Sequence, residues 1–461
     1  MLNSARNSAE NQGMTDLVQP LAAHAANFPS HRVDPAVREH LALDLVDGLA
    51  AIVGGTRAPG VAELAKVLSA QAGPGAAQRF ARDERYPAII AAQLNATAGH
   101  ALDYDDTLDE GGGMHAGALV HSAALAVADE LGGVSGETFV AATSVGLDIA
   151  VRLALAPTRD FGWHRTSAFG IFGVVGAVGR LYGLSQEQFV NAFGIAYSQA
   201  SGNRQCVADG ALSKRLQPGF AARDGIVAVQ LAKAGVSGAS RVFEGVDGFF
   251  PLYQRGEYVR ERVTEGLGER LLSSRISLKP YPCGRNLHGL LDATARARRA
   301  HEGRSIERIE VQLDAKSFAR AALGWPEHVV AAQFSIPFAV ALSTASGRTS
   351  LVDFDAPANV PEAVKALFAR VRVQPHEGTS EDDRIVFTYA GGSAHEERTA
   401  GVRLGHPTNP VSREQTANKL RDCNAFAGAP LSEQRLEAVL SAALGIANLS
   451  STTALTSLLG V

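Results

Sequence analysis

Cysteine is scarce in this chain. The three residues of this type, Cys206, Cys283 and Cys423, are odd in number, far apart and without a Cys-x-x-Cys pair. That argues against a disulfide framework and a structural zinc site, and fits a reducing compartment, so the cytoplasm is the expected location. Aromatic residues make up only 6% of the chain. Ala and Gly abound instead, and small side chains let helices approach closely. No stretch reaches the ~18 charge-free apolar residues of a membrane span; the nearest, residues 168–178, is shorter and is followed by Arg180. A net charge of -4 offers no attraction to nucleic acid or an anionic membrane. An anionic substrate would need a local basic pocket. Residues 1–16 are polar and lack the basic start and apolar run of a secretory signal; a disordered tail is expected there.

The length, 461 residues, points to two domains. Over residues 17–270 the pattern is helical. Apolar residues recur at three- and four-residue spacing in 37–51, 61–70, 88–101, 116–131 and 137–155. Ser185, three before Gln188, forms a capping box that opens a helix through Ala196. Gly170, Gly173, Gly176 and Gly179 recur every three residues, a smooth stripe for close helix packing. The texture changes over 271–411. Residues 306–313, 371–375 and 384–390 alternate as half-buried strands do, and Gly391 and Gly392 form a hairpin turn. Helices near 327–343 and 360–370 interleave, with Pro337 kinking or splitting the first. Residues 412–461 are helical again. The expected fold is mainly α, with a large all-helical domain (17–270, rejoined by 412–461) and a smaller α+β domain at 271–411.

Chemistry concentrates in one place. Within sixteen residues stand His100, Asp103, Asp105, Asp106, Thr107, Asp109, Glu110 and His115, in a region otherwise rich in Ala, Gly and Leu. Packing does not need such a cluster, whereas proton transfer or ion binding does. Asp103, Asp105 and Asp106 admit three readings: helix capping on a solvated surface; Mg²⁺ binding, as in the aspartate-rich helices of terpenoid-type synthases; and acid–base catalysis with one carboxylate orienting a histidine. His115 follows Gly111, Gly112 and Gly113, a loop able to close over a ligand.

Three further segments carry candidates. His164 and Arg165 precede a glycine-striped helix, with Thr166 or Ser167 as its N-cap; an imidazole beside free backbone N–H groups suits an anion. Lys214, Arg215 and Arg223 supply cations at the entrance of a helix beginning near Pro218. They form a carboxylate site or a solvated face. Lys279, Tyr281, Arg285, Asn286 and His288 fall within ten residues stiffened by Pro280 and Pro282. That segment reads as a binding wall or as a plain connector, with Cys283 as a packed thiol.

Taken in order, these blocks resemble the MmgE/PrpD family, which includes 2-methylcitrate dehydratase, cis-aconitate decarboxylase and iminodisuccinate epimerase. The resemblance spans nearly the whole chain: the block His100 to Asp106, the Gly-Trp-His ending at His164, the helix from Gly183, Ser213 to Arg215, Gly219 to Arg223, Lys279 to Cys283, and Gly405 to Pro410. It implies a helical domain with an α+β lid, a homodimer, an active site between the domains, and neither metal nor organic cofactor. By matching motifs it places Asp103, Thr107, His115, His164 and Lys214 in the pocket, with Lys279 from the domain boundary and His288 near it. The chain departs from the family pattern in three places. Ala116 and Gly117 stand where Pro-Ser often follows the first-block histidine, Arg165 replaces a Pro, and Gly284 lies near a histidine of the decarboxylase-like pattern.

The chemistry implied is proton abstraction next to a carboxylate of a small di- or tricarboxylate, followed by loss of water, loss of CO₂ or return of the proton to the other face. Dehydration is the favoured expectation. An enolate-like dianion needs cations, assigned to Lys214, Lys279 and Arg165 or Arg285. Tyr281 and His288 complete the substrate wall. His115 or His164 exchanges protons, Asp103 orients a histidine and Thr107 hydrogen-bonds substrate. A Mg²⁺-dependent helical synthase and a non-catalytic helical binding protein are the rival readings.

Overall fold

The computed structural model describes residues 15–319, 321–347, 349–399 and 401–460. The expected tail over residues 1–14 lies outside them, but Asp16 does not. It is 5% exposed, and its carboxylate accepts the backbone N–H groups of Val18, Phe243 and Glu244 at 2.9, 3.3 and 2.7 Å. The chain forms two compact units. One comprises residues up to Ala101, Asp105–Leu278 and Arg413–Val461; the other comprises Leu102–Tyr104 and Lys279–Ser412.

The first unit is built on helices α1 (Val18–Asn27), α2 (Pro35–Gly55), α3 (Ala88–His100), α4 (Gly117–Glu130), α5 (Gly136–Leu155), α6 (Arg165–Leu181), α7 (Gln186–Tyr197) and α8 (Ser213–Lys233). Local chemistry sets their ends. Asp34 caps α2 by accepting Ala36 N–H at 2.8 Å, with Pro35 at the first position. Ser185 and Gln188 form the expected capping box of α7, at 3.2 and 2.9 Å. The glycine stripe packs as expected. A Cβ on Gly173 or Gly176 would lie 2.9 or 2.8 Å from α5 side chains, so α5 and α6 touch nearly backbone to backbone. Helix α5 is itself long and apolar enough to cross a membrane, yet it is largely buried inside the fold. It carries the fully buried pair Asp148 and Arg152, at 2.8 Å.

Three sequence expectations are corrected here. The helical unit contains a small hairpin, β1 (Ala77–Arg79) against β2 (Glu84–Tyr86), whose three-residue strands are too short to show alternation. Helix α8 starts at Ser213, and Pro218 lies inside it, so Lys214 and Arg215 occupy its first turn. Residues 271–278 belong to the helical unit, because Ser277 exchanges backbone hydrogen bonds with Thr107 at 2.6 and 2.8 Å.

The second unit holds a four-stranded sheet in the order β4 (Val371–His376), β3 (Ile306–Asp314), β5 (Arg384–Tyr389), β6 (Ala394–Arg398). β3 and β4 run parallel; the other pairs are antiparallel. The register puts Ile309 and Val311 beside Val371 and Val373 on one side and Phe387 and Ile385 on the other. These residues pack in one core with Leu290 and Leu291 of helix His288–His301 and with helix Ile336–Ser346. Pro337 splits the expected longer helix by occupying the first turn of Ile336–Ser346. Mainly α with a smaller α+β part is the architecture observed.

Candidate active site

Each acid of the cluster has its own partner. Asp105 Oδ2 lies 2.7 Å from His100 Nδ1, and its Oδ1 lies 3.5 Å from His115 Nδ1. Asp106 accepts the backbone N–H groups of Ala116, Gly117 and Ala118 at 3.0, 3.0 and 3.4 Å; it thus satisfies orphan donors at the start of α4 and meets its positive end. Asp109 accepts from Ser277 Oγ at 3.0 Å, and Glu110 pairs with Arg275 at 3.2 Å. In the second unit, Asp103 meets Lys279, whose Nζ lies 2.9 Å from the Asp103 carbonyl and 3.3 Å from its carboxylate. Asp103 is held at φ 51°, a left-handed conformation uncommon outside glycine. Asp103 was expected to orient a histidine; the acid that lies against His100 Nδ1 at 2.7 Å is Asp105.

His115 is placed by a tight turn. Leu108 N–H donates to Met114 O at 2.7 Å, and Gly112 and Gly113 take φ of 70° and 75° between them. The three glycines therefore build a defined turn. His115 Nδ1 hydrogen-bonds the Asp106 carbonyl oxygen, and its backbone N–H donates to Thr166 Oγ1 at 3.1 Å. A carbonyl only accepts, so Nδ1 carries a proton and Nε2 is the nitrogen left to exchange one. The His100 ring centroid lies 4.9 Å from that of His115 and 5.2 Å from that of His164. His164, 6% exposed, is itself the N-cap residue of α6, where Thr166 or Ser167 was expected. It is fixed by a backbone bond to Gly202 O at 3.2 Å, with Ser167 Oγ 3.5 Å from Nδ1.

The remaining candidates sort by their contacts. Thr107 is buried, and its hydroxyl has no hydrogen-bond partner among the described residues. Lys214 is half-buried in the first turn of α8. Arg165 directs its guanidinium at the carbonyls of Gly111, Ala154 and Arg159, at 3.2, 3.1 and 3.3 Å. It braces the glycine turn through these carbonyls. In the second unit, Arg285 reaches His288 Nδ1 at 3.1 Å and Leu404 O at 2.8 Å. Burial and the adjacent Arg285 cation push His288 well below its usual range, so it is a neutral ring accepting from Arg285 and donating to Cys283 O at 3.3 Å. Tyr281 donates to Asp292 at 2.9 Å, and burial with the Asp292 charge pushes its phenol up. Burial also pushes the Cys283 thiol up, which leaves it inert.

Family models match both parts of the chain: the MmgE/PrpD N-terminal domain over residues 19–262 and the MmgE/PrpD C-terminal domain over residues 281–444. The chain belongs to the MmgE/PrpD family. Among similar proteins are a cis-aconitate decarboxylase-like protein of Aspergillus oryzae, 27% identical over 87% of this chain and 88% of that one, and the cis-aconitate decarboxylase of Aspergillus terreus, 26% identical over 98% of each. The human cis-aconitate decarboxylase is 25% identical over 82% of this chain and 80% of its own. These relatives are, by name, decarboxylases, and hence lyases.

Behind the histidines of this MmgE/PrpD chain lies a layer that sequence reasoning missed. Asp44 and Asp47, three apart on α2, are 0% and 1% exposed. His121 Nε2 lies 2.8 Å from Asp44, and Lys419, on helix Arg413–Phe426, lies 2.6 Å from Asp47. Two acids inside the apolar run 41–53 of α2 were a readable signal. Lys419, on a polar helix 372 residues away, was not.

Proposed function

We propose that this chain is a cofactor-independent lyase that decarboxylates a small di- or tricarboxylate of the cis-aconitate type. The observation that carries the reading is the His100–Asp105–His115 arrangement with His164 beside it, in a chain whose full-length relatives are named cis-aconitate decarboxylases. In such a reaction the bond from carbon to a carboxylate breaks, CO₂ leaves, and the electron pair stays on the remaining carbon framework. A proton must then join carbon. His115 serves as the donor from Nε2, since Nδ1 is committed to the Asp106 carbonyl. Asp105 favours the charged ring from which the proton departs. Solvent returns the proton to the neutral imidazole. Lys214 supplies positive charge for a retained carboxylate, and Thr107 offers its buried hydroxyl.

Dehydration is the second reading, and Gly284 favours it. A Cβ at Gly284 would lie 2.7 Å from Asn286 Oδ1 and 2.8 Å from Phe334, so the imidazole of the decarboxylase-like pattern would require these two side chains to move. Proton NMR of the EDTA-treated protein in D₂O with cis-aconitate, 2-methylcitrate, citrate and iminodisuccinate-type amino diacids separates the branches. Release of CO₂ from cis-aconitate supports the first reading. Loss of water from a hydroxy acid supports the second, and deuterium exchange alone points to epimerisation. Activity lost with EDTA and restored by Mg²⁺ would overturn the cofactor-independent reading. His100, Asp105 and His115 do offer the residue types of a two-histidine, one-carboxylate site, although the 2.7 Å spacing of His100 and Asp105 is that of a hydrogen bond.

A further inference from the structure

Gly117, the first residue of α4, separates two buried carboxylates. A Cβ built on it would lie 2.7 Å from Asp44 Oδ1 and 2.9 Å from Asp106 Oδ1. Both acids are at most 1% exposed. Asp44 Oδ2 is held by His121 Nε2, Asp106 Oδ2 by Ala116 N–H, and Asp106 Oδ1 by the N–H groups of Gly117 and Ala118. Asp44 Oδ1, aimed at the gap, has no hydrogen-bond partner among the described residues. Two like charges in so small a dry space repel strongly, and one proton held by the pair removes the repulsion.

We propose that Asp44 and Asp106 share one proton across Gly117, and that this carboxyl–carboxylate pair is a positioning device for His115. The link is covalent and short. The Asp106 side chain grips the α4 amides, and its own carbonyl receives His115 Nδ1. Anything that drives Asp106 off the amides therefore releases the His115 tautomer.

The surroundings agree. Burial and the charges of Asp44 and Asp105 push Asp106 well above the usual carboxylate range, against the opposing Gly117 N–H. The other titratable groups facing the pair are accounted for. Asp105 is engaged by His100 and His115, and Asp47 by Lys419. Burial holds His40, one turn before Asp44 on α2, below its usual range. Among the described residues no cation lies within hydrogen-bond distance of Asp44 Oδ1, so a proton is what neutralises the gap.

The test is infrared spectroscopy of the full chain carrying ¹³C-carboxyl aspartate, at pH 8, where Asp47, pushed up to about 7, is mostly ionised. A protonated-carboxyl band is expected in the wild type and is expected to shift in frequency in Asp44→Asn, where the acid that shares the proton is gone. In Gly117→Ala, whose methyl group wedges the acids apart, the band should weaken. Absence of the band in the wild type overturns the proposal without any variant having to fold; so does an unshifted band in a folded Asp44→Asn protein. The catalytic consequence rests on the lyase reading: activity should fall as the shared proton is lost at alkaline pH, and Asp44→Asn should move that limb. A band present in a protein inactive on every carboxylate tested would sink the lyase reading and leave the proton sharing intact.

Discussion

Asp105 Oδ2 sits 2.7 Å from His100 Nδ1, and the side chains of both are at most 2% exposed. A carboxylate held so close to an imidazole, out of water, fixes the ring's orientation and keeps its Nδ1 proton in place. Because the other Asp105 oxygen faces His115 Nδ1 at 3.5 Å, one acid governs two rings. Asp105→Asn replaces an acceptor with an amide that can donate to neither ring correctly. It should lower kcat by about a hundredfold, the low end of what positioned acid–base groups contribute, and move the pH optimum. A variant with wild-type kcat and pH profile would remove Asp105 from the mechanism.

His115→Ala is expected to cut kcat by about 10²–10⁴-fold while changing KM much less. Its Nδ1 is used by the protein, on the Asp106 carbonyl, which leaves Nε2 for chemistry rather than for ground-state binding. Steady-state kinetics of the purified variant on the substrate found by the NMR panel checks this. A KM effect with kcat intact would make His115 a binding residue.

What the sequence disclosed and what it hid follow one physical rule. The block from His100 to His115 stands out because polar residues are dense where apolar ones are expected, and that density is local. Helix periods and the alternation of β3 and β5 are local too, and they recover the two kinds of architecture. Partnership is not local. Nothing near Asp103 says that Lys279 binds it from 176 residues away, and nothing near His100 says that Asp105 faces it. The carbonyl acceptors of Arg165, Gly111 and Ala154 among them, become its neighbours only through the fold. The three-residue strands β1 and β2 lack the length for any period to register.

Arg152 should matter for stability and not for chemistry. Fully buried, it pairs with Asp148 and donates to the carbonyls of Val263, Glu265, Gly266 and Arg270, at 3.0, 2.8, 3.4 and 2.8 Å. Asp148 in turn contacts His24 at 2.9 Å and accepts from Leu272 N–H at 2.6 Å. Arg152→Met strands that carboxylate and the carbonyl cage together. A loss of about 3–5 kcal/mol is expected, as for other broken buried pairs, seen as a lower urea midpoint. An unchanged midpoint would mean that water replaces the guanidinium at no cost.

Asp47 gives the stability a definite dependence on pH. Burial pushes it up from 3.8 to about 7, and the Lys419 ammonium at 2.6 Å only partly offsets that. A carboxyl raised in the folded state binds its proton more tightly there than in the unfolded chain. Its contribution is therefore fully present below pH 3.8 and is lost as pH rises through about 7. Between those limits the Asp47 site should make Tm fall with rising pH, opposite to the trend of ordinary salt-bridged acids. The double variant Asp47→Asn with Lys419→Met removes the titrating group without leaving a buried lone charge. Its Tm should fall less than the wild type's between pH 4 and 7. Parallel Tm curves for the two proteins across that window would show that Lys419 keeps Asp47 ionised throughout, and that the pair is an ordinary buried salt bridge.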